Sequence, residues 1–528
     1  MNTTPRGFAR AIIVITTVTA AVMELIDVSI VNVALSDISG GLGVNIEDVS
    51  WVITSYAIAN VIIIPLTGFL AEYFGRKNYY LVSMLIFTVA SYMCGQSNSL
   101  VELIIWRFVQ GIGGGALLST SQSILFDAFE PKDRPIAAGL FGMGLVLGPT
   151  LGPTLGGYII DHASWPLIFM INIPVGIAAT LLTFYFVEKK PNEGKNKAGI
   201  KIDYTGILLL LAGIGCLQYV LERGEAEEWL SSEYIRTSAI IATLALVGFV
   251  VYELNIKQPA VNLRLLGNRN LAFTTIFTFV AGFGLFTSVF VYPVLAQRVL
   301  GFTAFETGNS LLLPTLAAVL LMPVIGKMMS KGVTPLPFVF IGFSLFSTYA
   351  FMSASVSPDV GKSDFFFPLL IRAVGISFSQ LPLISQVVVG LEPKDYATAI
   401  SLNNMIRQLG GAFGIAVANN YVATRYAIHR TDLVSAMPNG SNLLNERLSN
   451  ISQGIAAKSG DMAGAGNKAI AILNGTVDRQ AYYLSYLDSF RLIGIFFIAV
   501  LPFVIFLRAK KKNPAEVAAQ MKAAAEAH

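Results

Sequence analysis

The chain has 528 residues, 54% of them hydrophobic and only 13% charged, with a mean hydropathy of +0.65 and a formal net charge of +4. A water-soluble chain carries about 25% charged residues, so a soluble globular fold is excluded. The apolar runs are long and continuous, which argues against a β-barrel built from alternating strands of about ten residues. A polytopic all-α membrane protein remains, because roughly 20 apolar residues cross a bilayer as one helix and such a helix satisfies its own backbone there.

The first apolar run starts near Ala11 and is too long for the core of a cleavable signal peptide. It contains "MELIDVSIVNVAL" over 23–35, which places Glu24 and Asp27 at membrane depth. Carboxylates there are costly and mark functional sites. Fourteen apolar segments are predicted in chain order. Helices 1 to 6 span roughly Ala11–Leu35, Val49–Glu72, Tyr79–Gly95, Leu100–Phe126, Pro135–Ile160 and Pro166–Val187. Helices 7 and 8 span roughly Tyr204–Leu221 and Tyr234–Leu254. Helices 9 to 13 span roughly Leu271–Val299, Ala304–Met329, Pro335–Ala354, Phe365–Leu391 and Tyr396–Ala423. The polar Asn-, Ser- and Gly-rich stretch 424–486 reads as an extramembrane loop, with helix 14 at roughly Leu487–Leu507.

Basic residues favour cytoplasmic loops. Arg76, Lys77, Lys132, Arg134 and the cluster over 189–201 lie on one side, against Arg223, Arg236, Arg298 and Lys362 on the short loops of the other. Both termini are therefore expected in the cytoplasm and the 424–486 segment outside. Cys94 and Cys216 both lie in apolar runs and read as packing residues.

The quartet "EPKD" occurs at Glu130–Asp133 and again at Glu392–Asp395, each time between an even and an odd helix. Pro65 and Gly68 near the end of helix 2 recur as Pro323 and Gly326 in helix 10, and Arg107 in helix 4 recurs as Arg372 in helix 12. Helices 1–6 and 9–14 are thus two copies of one unit. The expected organisation is a six-helix bundle over 1–190, two inserted helices over 191–262, and a second bundle over 263–528 with a cytoplasmic tail. Parallel six-helix halves are a transporter architecture with the substrate site between them near the bilayer midplane. Glu24 and Asp27 then face the central cavity, three residues apart on one helix face. Two close carboxylates oppose double ionisation, a property that suits a proton carrier. No acid stands at the matching place in the second half, near Thr287.

Helix 5 carries "GLVLGPTLGPTLGG" over 144–157. Gly144, Gly148, Gly152 and Gly156 recur at every fourth position and offer one face for close helix approach. Pro149 and Pro153 remove backbone hydrogen bonds and bend the helix. Such a close, bent contact between the halves can seal the cavity against proton leak. Arg107 is a single charge in an apolar helix and needs a partner. Asp488 and Arg491 are spaced as an i,i+3 pair at the mouth of helix 14. Histidines fall in or near loops, at His162, His429 and His528. No Walker-type phosphate loop is present, and "GIGGG" lies in mid-helix rather than after a strand, so nucleotide-driven or dinucleotide chemistry is not expected.

The segments "DVSIVNVAL", "WVITSYAIANVIIIPLTGFLAEYFGRK", "RFVQGIGGG", "GLVLGPTLGPTLGG", "WPLIFMINIPVG", "LERGEAEEWLSS" and "NNMIRQLGGAFGIA" together resemble the major facilitator superfamily, specifically its fourteen-helix EmrB/QacA-type drug:proton antiporters. Glu72 stands where the family's loop motif usually has aspartate, and Glu24 where many members have a neutral residue. The resemblance implies proton coupling through Asp27 and Arg107, while the departure at Glu24 is expected to give a second titrating group for proton coupling or a preference for cationic substrates. It implies gating or structural roles for Gly68, Glu72, Gly75, Arg76, Lys77 and the helix-5 glycines and prolines, including Gly157. Glu72 and Arg76 are expected to form charge pairs across the halves or with helix ends. Asn32, Gln110, Asn403, Arg407 and Gln408 are candidate cavity residues. The expected function is proton-driven export of lipophilic, often cationic, compounds across the inner membrane, with no enzymatic activity and no cofactor. Export of an endogenous metabolite, lipid or siderophore, or a non-transporting scaffold or receptor, are the alternatives. A periplasmic adaptor and an outer-membrane channel are the implied partners; nucleic acid is not.

Overall fold

The computed structural model describes residues 7–189, 202–357, 361–437, 441–459 and 464–507. Most of the basic cluster at 189–201 and the expected cytoplasmic tail lie outside the described residues.

The described residues form long helices α1 (Phe8–Leu42), α2 (Trp51–Phe74), α3 (Arg76–Gln96), α4 (Leu100–Asp127), α5 (Arg134–His162) and α6 (Leu167–Phe186, interrupted at Ile171). Then come α7 (Tyr204–Arg223) and α8 (Glu233–Asn255). The remainder are α9 (Arg269–Val294, ending in a π-helical turn), α10 (Ala304–Ser330), α11 (Pro335–Ser353), α12 (Phe366–Gln386), α13 (Tyr396–Ser435) and α14 (Ala465–Val500). Among them, 12 are long and apolar enough to cross a membrane; α3 and α13 fall short on hydropathy or charge. The helix starts follow local chemistry. Thr303 and Glu306 form a reciprocal capping box at α10. The Asn268 side chain caps α9 by accepting from two backbone N–H groups. Gly75 has φ +83° at the tight junction of α2 and α3, a conformation that glycine adopts without Cβ strain.

The stretch 424–486 is not the loop its composition suggested. α13 runs on to Ser435, a short helix occupies Asn442–Ser459, and α14 begins at Ala465. α13 and α14 form a helical hairpin whose strength is polar. Arg430 Nε donates to Asp478 at 2.7 Å and Tyr426 donates to the same carboxylate at 2.9 Å. Asp488 takes Arg425 at 2.6 Å, His429 at 2.8 Å and Arg491 at 2.9 Å, while Tyr426 stacks on Tyr482 at 4.1 Å. Hydropathy reports lipid contact, so a helix pair held by charges in water leaves no apolar signal. His429 accordingly lies in a helix rather than a loop.

One apolar cluster lies almost wholly within α9–α14 and another within α1–α6. A third is shared by both sets at the end that carries the two EPKD loops, where Leu125 and Phe126 meet Ile384, Val387 and Tyr396. α7 and α8 cover the seam between the sets: Leu210, Ile214 and Phe249 pack with Ile64 of α2 and Leu402 and Leu409 of α13.

The glycine face of α5 packs on α1, within its own half, and not between halves. A Cβ at Gly144 would stand 3.0 Å from Val22; one at Gly148 would collide with Leu25, and one at Gly152 with Ser29. Gly156 faces Ile30 at 2.9 Å. The other side of α5 meets α10. There Gly139 would reach the Met322 carbonyl at 2.9 Å, and Gly326 of α10 would reach the Pro135 carbonyl at 2.6 Å. α5 therefore lies in close contact with α1 on one side and α10 on the other.

Candidate functional site

The glycines after Arg107 build the site. Gly111 and Gly115 lie against the backbone of α2, and a Cβ on Gly111 would meet the Tyr56 carbonyl at 2.6 Å. This approach brings Tyr56 and Asn60 of α2 beside Arg107 and Gln110 of α4, with α1 completing the cluster.

Asp27 is fully buried and saturated. It accepts from Arg107 NH1 at 2.6 Å, from Gln110 Nε2 at 2.8 Å and from Asn172 Nδ2 of α6 at 2.8 Å. Arg107, 1% exposed, also donates to the Val52 carbonyl at 3.2 Å and to Gln110 Oε1 at 2.9 Å. Its guanidinium carbon lies 4.1 Å from the Tyr56 ring centroid, a cation–π contact. The Cys94 thiol faces Gln110 at 3.6 Å and so belongs to this cluster rather than to plain packing. Every group around Asp27 is a donor.

Glu24 is different. One carboxylate oxygen accepts from Asn60 Nδ2 at 2.9 Å and lies 3.5 Å from Tyr56 Oη, while Oε2 has no hydrogen-bond partner. It can take a proton without breaking a bond. The two acids share α1, yet Asp27 points to α4 and α6, whereas Glu24 points to α2 and, electrostatically, to Arg407 of α13.

The two halves meet around this level. Gln408 donates to Asn60 Oδ1 at 3.3 Å, and Asn404 donates to Ser119 at 3.2 Å and Gln122 at 3.1 Å. Thr315 donates to Thr150 at 3.2 Å. Towards the EPKD end, Arg134 donates to Tyr396 Oη at 2.9 Å and stacks over its ring, and Gly68 faces Thr398, where a Cβ would stand 2.8 Å from its Cα.

The structure thus brings Asp27, Arg107 and Gln110 together and places Glu24, Arg407 and Gln408 beside them. Asn403 is buried with an unpartnered side-chain oxygen, and Asn32 is exposed, outside the cluster. Of the charge pairs expected at the α2–α3 loop, the one made by Arg76 is with a helix end, at Asp127, the last residue of α4. Glu72 is exposed; Arg76 pairs with Asp127 and donates to Ser123, both on α4 of the same half, and Lys77 donates to the Phe184 carbonyl at 2.7 Å. Arg372 is buried and donates to Ser288 at 3.0 Å. Tyr56, Asn60 and Asn172 were not singled out from the sequence. Their signal was there, as lone amides in "YAIANVII" and "FMINIPVG".

Residues 17–415 match the family described as Major Facilitator Superfamily. The chain is similar to the multidrug export protein EmrB of Haemophilus influenzae, 33% identical over 415 residues that cover 78% of this chain and 81% of that one. It is similar to the fatty acid resistance protein FarB of Neisseria gonorrhoeae, 31% identical over 94% of this chain and 96% of that one. Among solved structures it shares the fold of the proton:xylose symporter XylE, with a TM-score of 0.55 at 14% identity over 93% of this chain and 96% of that one.

Proposed function

This chain belongs to the major facilitator superfamily, and we propose from that premise that it is a proton-coupled exporter of lipophilic drugs and other toxic compounds, a transporter rather than an enzyme. The observation that carries the reading is the buried cluster of Glu24, Asp27 and Arg107 at the meeting of the two halves. The names of the EmrB and FarB relatives support efflux of toxic compounds, and FarB favours fatty acids as a second substrate class.

The mechanism follows from the geometry. Glu24 takes the incoming proton first, because its free oxygen accepts one without loss. Asp27 and Arg107 form the switch: the pair holds α1, α4 and α6 in one packing while Asp27 is charged. Breaking a buried pair costs roughly 3–5 kcal/mol. A bias of that size moves a two-state ratio by a factor of about a hundred to several thousand, enough to drive rocking of the halves on α5.

Residues 1–190 and 263–528 act as the two rocking bundles, and 191–262 as a lipid-facing strap across their α2/α13 seam, a division that the separate apolar clusters support. The basic loops support a cytoplasmic location for both termini and the EPKD end, and on that orientation this packing is closed towards the cytoplasm. The α13–α14 hairpin then projects outward, where a periplasmic adaptor leading to an outer-membrane channel would meet it. Proteoliposomes with an imposed pH gradient test the reading. Adding ethidium or another lipophilic drug should move protons in the opposite sense to the drug. Drug transport with no proton movement would overturn it.

A further inference from the structure

The mechanism above leaves one group unused. Arg407 is 2% exposed, and its Nε and NH2 atoms have no hydrogen-bond partner. Buried guanidinium donors without acceptors are rare and call for an explanation. Across the seam between the halves stands Glu24, whose Oε2 is also buried and unpartnered. No hydrogen bond or ion pair joins them among the described residues; Asn60 links Glu24 across the seam to Gln408, the residue after Arg407. A cation and an anion therefore face each other from opposite halves, each with a hydrogen bond unmade.

Arg407 is held in place by its neighbours. It packs on Gly282 of α9, where any Cβ would collide with the Arg407 carbonyl oxygen and stand 3.0 Å from its Cγ, so a larger residue would displace α13 at Arg407. On the same two helices Phe279 and Phe413 pair at 5.9 Å, both half-buried.

Resting on the transport reading, we infer that Glu24 and Arg407 form a recognition site for a lipophilic zwitterion, with its ammonium on the Glu24 carboxylate and its carboxylate on the Arg407 guanidinium. A simple cation would satisfy Glu24 and leave a second positive charge unpaired beside it. A simple anion would satisfy Arg407 and leave Glu24 facing it. Only a ligand with both charges completes both sets of hydrogen bonds and leaves the site neutral, as it is when empty. Such a ligand also ties one half to the other, so its occupancy is linked to closure of the seam. A proton arriving on Glu24 removes the ammonium's partner. Proton and zwitterion therefore compete, which is the sign that exchange in opposite directions requires. This differs from the sequence-based expectation that Glu24 favours cations, because that expectation did not include Arg407.

The test is equilibrium binding to the full chain in lipid nanodiscs by thermophoresis, with empty nanodiscs as the partition blank. Three probes share one tail: 2-aminodecanoate carries both charges, decylamine the cation and decanoate the anion. The zwitterion should bind at least about tenfold tighter than either of the others (about 1.4 kcal/mol). Glu24→Gln should erase its advantage over decanoate, and Arg407→Gln its advantage over decylamine. The wild-type ranking needs no variant, so poor folding of Arg407→Gln does not blunt the test. Equal binding of all three, binding of none, or tighter binding of decylamine or decanoate overturns the inference. The assay needs no gradient: loss of the zwitterion preference in a chain that still couples drug to protons refutes this site alone. The preference retained without coupling refutes only the transport reading.

Discussion

Substituting Asp27 should cost more than losing one hydrogen bond, and the structure indicates why. In Asp27→Asn the new amide keeps its oxygen for both Gln110 and Asn172, which donate to the same Oδ1, but presents N–H to the Arg107 guanidinium, donor against donor at 2.6 Å. Arg107 is then a buried cation whose remaining acceptors are the Val52 carbonyl and Gln110 Oε1. Breaking such a pair by removing one partner costs roughly 3–5 kcal/mol, whereas replacing both by apolar groups of similar size is often neutral. Asp27→Asn, Asp27→Leu and Arg107→Met should each destabilise the protein by that amount. The double variant Asp27→Leu/Arg107→Met should recover most of it, giving a coupling energy of at least about 2 kcal/mol. The assay is denaturant unfolding in a fixed detergent, followed by thiol labelling of Cys94, which lies buried against Gln110 and reports opening of this cluster. Single substitutions costing under about 1 kcal/mol each, adding without coupling in the double variant, would refute a charged, buried pair.

Other expectations follow from the packing. Gly148→Leu and Gly152→Leu should each stop transport, because a side chain there drives into Leu25 or Ser29 of α1, at a cost of roughly 1–3 kcal/mol or more; Gly40→Ala, with no heavy atom near its Cβ, should behave as wild type, and native efflux in both leucine variants would contradict the α1–α5 contact. Arg134→Ala loses the cross-half hydrogen bond and stacking on Tyr396, about 1 kcal/mol or a roughly fivefold shift towards the state open at the EPKD end. Spin labels at the exposed Lys132 and Lys394 should show a larger long-distance population, and an unchanged distribution would remove Tyr396 from the latch. Arg430→Ala should loosen the α13–α14 hairpin by no more than about 1 kcal/mol, since its pair with Asp478 is partly exposed, and should leave proton coupling intact; hydrogen exchange of the hairpin amides together with the transport assay checks both halves of this statement.

Much of the bundle was legible because its causes are local. Apolar length marked most helices, the repeated EPKD and Pro/Gly spacing gave the expectation of two halves, and carboxylates in "MELIDVS" pointed to the candidate site. The partner of Arg107 was not legible, since Asp27 and Asn172 come together only when α1, α4 and α6 pack. The glycine ladder of α5 announced a close contact but not with which helix; that depends on Leu25 and Ser29 presenting the complementary face. The sign of Glu24's environment was hidden for the same reason. It depends on Arg407, a residue from the other half of the chain that only the seam brings near. The extension of α13 and α14 was missed because charge pairs, and not apolar residues, hold it together.

The central claim is that a proton on the buried carboxylates of α1 is exchanged for drug. The most direct measurement compares two modes in proteoliposomes, for wild type and Asp27→Asn at matched protein density. One mode is drug–drug exchange at equal pH, and the other is accumulation driven by a pH gradient alone. Wild type should show both modes, with accumulation abolished when the gradient is collapsed. Asp27→Asn should retain exchange and lose gradient-driven accumulation, because its binding seam persists while its proton switch does not. Gradient-driven accumulation by Asp27→Asn at the wild-type level would contradict the account.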